Sequence, residues 1–90
     1  MRDMYVLSTE VGDSEATMTV SIADDDHKFG VWAEGDAALV SYQESLTWRG
    51  EIEVSDPDED IYRALMTSEE MTSLLNRWDV SGVRRAAPTP

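Results

Sequence analysis

Asp24, Asp25, Asp26 and His27 run consecutively, and nowhere else in this 90-residue chain do carboxylates stand beside an imidazole. Such a donor set suits Mg²⁺, Mn²⁺ or Zn²⁺. The spacing does not, because consecutive residues in a turn splay outward, and the glycine and oxygen-ligand spacing of a calcium loop is absent. The run reads as a solvated acidic hairpin turn. His27 is the sole histidine. As a general acid or base it needs an orienting partner, and its neighbours Asp26 and Lys28 point away from it along a strand. It reads as an exposed turn histidine. None of the nine serines sits in a Gly-x-Ser-x-Gly elbow, so nothing marks an acyl-transfer nucleophile. Glu51 and Glu53 share one strand face, as a glycosidase pair would. A chain this short leaves little room for a sugar cleft, and the pair reads as a solvated sheet face. The five glycines (12, 30, 35, 50 and 82) stand singly and make no phosphate loop, and there is no cysteine for a thiolate site or disulfide. The expectation is a protein with no catalytic, cofactor-binding or metal residues and no cofactor, and therefore not an enzyme.

The aromatic and basic residues carry more. Of three tryptophans, Trp78 falls on a helical apolar stripe and Trp48 on the apolar face of a strand. Trp32 falls opposite Phe29, Val31 and Ala33. An outward Trp32, with Arg49 on the second face of its own strand, has the composition of an interface hot spot. These two residues are the candidate protein-binding site. Gly30 and Gly50, inside strands, mark bulges or the close approach of a neighbour. Arg77, Arg84 and Arg85 are the nearest thing to a basic patch. The two helices that precede Arg84 invite comparison with a helix-turn-helix, but the second opens Ser68-Glu69-Glu70. Those acids would meet phosphate at the end that normally reads DNA, which argues against a nucleic-acid partner.

These residues need elements to position them. Tyr5, Leu7, Thr9 and Val11 share one face, with Met4, Val6, Ser8 and Glu10 on the other; Ala16, Met18, Val20 and Ile22 alternate with polar residues, and Phe29, Val31 and Ala33 resume the period with Trp32 on the opposite face. Period two marks half-buried strands. Gly12-Asp13-Ser14 and Glu34-Gly35-Asp36 supply turns. Residues 37–42 are ambiguous: Asp36 suits a helix cap, whereas Val40 and Tyr42 on one face favour a strand. Leu46, Trp48, Gly50, Ile52 and Val54 make the cleanest alternation. The period changes at Asp56-Pro57-Asp58-Glu59, an N-cap, a first-turn proline and an acid three residues after the cap. Ile61, Tyr62, Leu65 and Met66 then form one stripe. Ser68 caps a second helix with Met71, Leu74, Leu75 and Trp78 at i, i+3, i+4 and i+7, and Gly82 is its expected stop. Val80 to Val83 suit a short edge strand. The expected fold is α+β: a two-layer sandwich in which an antiparallel meander of about five strands is followed by two C-terminal helices packed on one face. Residues 1–83 form a single domain and 84–90 a flexible tail.

Charge sets the surroundings. Nineteen acids face seven bases, of which Lys28 is the one lysine, for a net charge of −12. Residues 1–45 hold ten acids and two bases, residues 46–90 nine and five. Self-repulsion on this scale weakens the compact state until salt screens it. Excess acid with arginine in place of lysine resembles the composition of haloarchaeal cytoplasmic proteins. The apolar stretch Met4–Leu7 is too short for a signal-peptide core, and no apolar run reaches the ~20 residues of a membrane span, so a cytoplasmic location is expected, with no membrane partner. The functional expectation is a small non-enzymatic protein-interaction or regulatory module adapted to a high-salt cytoplasm, acting on an unknown protein partner or by self-association as a homodimer. The alternative is an acidic inhibitor that mimics nucleic acid or neutralises a basic protein. A lesser one is a DNA-binding regulator using the C-terminal helices and arginines.

Overall fold

The computed structural model describes residues 4–22, 25–46 and 59–86. Alternation of apolar and polar residues builds four strands in chain order: β1 (Met4–Val11), β2 (Glu15–Ile22), β3 (Asp25–Glu34) and β4 (Ala37–Ser45). They pair antiparallel, each with the next. Two helices follow, α1 (Glu59–Met66) and α2 (Glu69–Trp78), and then a short strand β5 (Gly82–Arg85) that lies parallel to β4. The sheet order is β1-β2-β3-β4-β5. The architecture is thus α+β, a mostly antiparallel five-stranded sheet with both helices packed on one face. Among the described residues no helix is long and apolar enough to cross a membrane.

The core is the inner face of the sheet closed by the helical stripes. Ala16, Met18, Val20 and Ile22 from β2 meet Phe29 and Val31 from β3 and Ala38 and Val40 from β4. Ile61, Tyr62 and Leu65 from α1, with Met71 and Leu74 from α2, cover them. Phe29 stands edge-on to Tyr42 and to Tyr62, with centroids 5.4 and 5.7 Å away, the geometry aromatic quadrupoles favour. No described charged residue is buried.

Three features depart from the expected pattern. β1 carries a bulge: Val6 faces Val20 and Ser8 faces Thr19, which leaves Leu7 as the extra residue. An extra residue resets strand parity, so Met4 and Val6 turn to the core before it and Tyr5 and Leu7 turn outward. The single alternating face expected for Tyr5, Leu7, Thr9 and Val11 is corrected accordingly. α2 stops at Asp79 and not at Gly82. Asp79 takes the left-handed conformation (φ 54°, ψ 46°), its N–H reaching back to Asn76 and Leu75 carbonyls; aspartate tolerates this region better than most residues. Gly82 instead opens β5, and Ser81 fixes that entry by donating both its N–H and its hydroxyl to the Asp36 carbonyl at 2.8 Å. Arg84 and Arg85 are therefore sheet residues, two positions past the expected domain end at residue 83, and the ladder continues through Ala86 N–H to the Val40 carbonyl. The expected strand through Trp48 and Val54, and the Asp56-Pro57 cap, lie outside the described residues. Residues 37–42 are strand, and Ser68 caps α2 as expected, accepting from Met71 N–H at 3.2 Å.

A second bulge, on β4, decides one stability prediction. Phe29 faces Tyr42 and Lys28 faces Glu44, so Gln43 is the extra residue. Beside it the Tyr42 N–H donates to the Tyr62 hydroxyl of α1 at 3.2 Å. The hydroxyl thus ties helix to sheet at the point where the ladder is interrupted. Tyr62→Phe keeps the ring and removes the acceptor; a loss of about 1–2 kcal/mol is expected in urea melts. A stability equal to the wild type would show that this bond is not needed.

Candidate functional site

The site residues proposed from sequence are sorted by strand parity. Asp26 and His27 are consecutive in β3 and take opposite sides of the sheet. Asp26 pairs across β2 with Ser21, on the outer face, and His27 with Val20, on the core face. Asp26 and His27 therefore do not converge, Asp24 lies outside the described residues, and among the described residues no group of three or more potential ligands could hold a metal ion. His27 is not an exposed turn residue. It is half-buried within β3, with Nδ1 3.0 Å from the Tyr42 hydroxyl and its ring tilted against the Tyr42 ring. Its place is at the rim of the aromatic core.

The three arginines expected as a basic patch are divided. Arg85 faces the helices, its guanidinium 4.1 Å from the Tyr62 ring centroid and paired with Glu59 at 2.6 Å. Arg84 is exposed and, paired in register with Leu39, stands on the opposite face. Arg77 is exposed in the last turn of α2, whose first turn carries Glu69 and Glu70.

What the fold brings together lies on the outer face of the sheet. Trp32 of β3 faces outward as expected, half-buried. Register places Glu15 of β2 on one side of it and Leu39 of β4 on the other, with Arg84 beyond Leu39. The indole N–H donates to Glu34 at 3.4 Å. Two residues back along β3 is Gly30, opposite Thr17 on β2 and Ser41 on β4. A Cβ on Gly30 would meet the amide of Gln43, the far end of an exposed side chain that would have to swing aside. The missing side chain and the bulged Gln43 together form an open depression of about 450 Å³, with Trp32 and Gln43 as walls and Glu10 and Glu15 on the β1–β2 side. The depression thus combines an aromatic surface, an amide, a threonine and two carboxylates. That chemistry can seat an extended or amphipathic side chain, and prefers a positive one.

Arg49, the other residue of the expected pair, lies outside the described residues, as do Trp48, Gly50, Glu51 and Glu53. Sequence reasoning missed Gln43 and Arg84 on this face. Gly30, read as marking a bulge or the close approach of a neighbour, was the available signal for Gln43. The expected edge strand, Val80 to Val83, stops one residue short of Arg84, so no signal placed Arg84 on this face. Comparison of the chain with protein-family models, curated proteins and solved structures yields no match.

Proposed function

We propose that the protein is a small non-enzymatic interaction or regulatory module working in a high-salt cytoplasm, and that it engages a protein partner through the outer face of its sheet around Trp32. The observation that carries this reading is the depression over Gly30 beside a half-buried, outward tryptophan. Tryptophan, with tyrosine and arginine, is enriched among the anchor residues of protein interfaces. The carboxylates of Glu10, Glu15 and Glu34 favour a partner that presents arginine or lysine beside apolar surface. Arg49 belongs to the proposal as the second anchor.

The test is a pull-down in molar KCl with wild type, Trp32→Ala and Arg49→Ala, alongside their oligomeric states. A partner held through Trp32 should weaken by roughly thirtyfold on its truncation, an effect of about 2 kcal/mol. If both variants retain every partner and the same oligomeric state, the reading fails. The net charge of −12 favours a second reading, an acidic inhibitor that mimics nucleic acid or neutralises a basic protein. There the charge itself binds, so affinity falls steeply as salt rises, whereas a Trp32-centred contact persists in molar KCl. A DNA-binding role for the C-terminal helices is the weakest of the three, given the division of Arg77, Arg84 and Arg85 among different faces.

A further inference from the structure

The two edges of the sheet are guarded differently. β5 is four residues long, and two of them are arginines. Short length and charge are ordinary ways to keep a sheet edge from pairing. β1, at the other edge, is eight residues long and carries a single charge, Glu10. Its residues 4–9 (Met-Tyr-Val-Leu-Ser-Thr) form an uncharged run in a chain where 29% of residues are charged. Two of the large apolar side chains most exposed to solvent, Tyr5 at 63% and Leu7 at 54%, stand on it. Among the described residues β1 has only β2 as a sheet neighbour.

We propose that β1 is a self-association edge whose partner is β1 of a second copy, paired antiparallel through the uncharged residues 4–9 about a two-fold axis. The charge distribution selects this occupant. Two chains of net charge −12 repel, and they meet at least cost where the acids are absent. Antiparallel pairing through residues 4–9 keeps the two Glu10 carboxylates at opposite ends of the contact, so they do not face each other. An isologous contact of this kind closes on itself as a dimer. The axis is perpendicular to the sheet, so both Trp32 faces lie on the same side of a continuous ten-stranded sheet. The contact is independent of the outer-face reading, because it uses the edge and not the depression.

A strand-to-strand contact of this kind falls in the small class, below roughly 1,200 Å², so the dimer is expected to be reversible. Its dissociation constant should fall as KCl rises, since screening removes the repulsion between copies. Analytical ultracentrifugation in molar KCl over a protein concentration series tests this, with circular dichroism to confirm folding of each variant. Leu7→Lys should raise the dimer dissociation constant at least about tenfold, because each copy then brings a charge into the apolar contact, even though added lysine lowers the net repulsion between copies. Tyr5→Lys should act in the same direction. Leu46→Lys, at an equally exposed apolar residue (48%) away from β1, and Trp32→Ala should leave the dimer intact. A monomer at every concentration, a dimer indifferent to Leu7→Lys and Tyr5→Lys, open-ended polymers, or a dimer lost in Trp32→Ala alone would each overturn the proposal. The last of these would move self-association to the outer face.

Discussion

The melting temperature should rise by about 10–20 °C between dilute buffer and molar KCl. Two net charges ~20 Å apart in water repel by only ~0.2 kcal/mol, but a net charge of −12 involves several tens of such pairs within a radius of gyration of 12.8 Å. Unfolding relieves part of that repulsion by spreading the chain. Screening removes it from both states and so favours the compact one; at 1 M salt the Debye length is ~3 Å, shorter than nearly every distance between acids. A net gain of about 2–3 kcal/mol follows, and each kcal/mol moves the midpoint of a domain this size by about 4–8 °C. The structure makes the effect global. Of the described acids all but Asp26, which is half-buried, are exposed, and their contribution comes from mutual repulsion across the surface. The ion pairs Arg63–Asp60 and Arg85–Glu59 work against the trend, because salt weakens them. Both involve exposed acids, and such surface pairs contribute about 0–1 kcal/mol each. Circular-dichroism melts in a KCl series read the outcome directly. A midpoint unchanged or falling with KCl would remove salt adaptation from the proposed function.

How far the sequence could be read depended on the range of the interaction that set each feature. β2 was legible residue by residue because Ala16, Met18, Val20 and Ile22 alternate without interruption, and all four are buried. The stripes of α1 and α2 were legible for the same reason, as was the Ser68 cap, which needs only three residues of local chain. Bulges are different. An extra residue is defined by the neighbouring strand, so Leu7 in β1 and Gln43 in β4 could not be assigned from their own strands, and Tyr5 and Leu7 do not share a face with Thr9 and Val11 as expected. β5 was legible in part: a short edge strand was expected over Val80 to Val83, but its shift to Gly82–Arg85 and its parallel place beside β4 depend on the Ser81–Asp36 contacts, which are long-range. The candidate site divides along the same line. The outward direction of Trp32 followed from parity within β3. The depression beside it depends on Gly30 and Gln43 meeting across two strands, and Arg84 reaches the same face only through β5.

Phe29→Ala should unfold most of the protein in dilute buffer and leave it largely folded in molar KCl. Phe29 is fully buried at the centre of the sheet, edge-on to both Tyr42 and Tyr62. Its truncation removes contacts to strand and helix together and leaves a cavity that two rings held by opposite layers cannot close; such changes cost about 3–5 kcal/mol. Natural domains hold only about 5–15 kcal/mol, and a 90-residue chain burdened by self-repulsion should lie near the lower end at low salt. The cavity is a local defect and the screening is spread over the surface, so the two effects share no contacts and should add. The variant should therefore show the same upward shift with KCl as the wild type, displaced to lower temperature. Paired melts of wild type and Phe29→Ala across the series separate the contributions. Parallel curves place the salt effect on the surface and the cavity cost in the core. Curves that converge at high salt would mean that KCl acts by repacking the interior, contrary to a surface origin. A variant that melts with the wild type at every salt concentration would mean that Phe29 is not at the centre of the core.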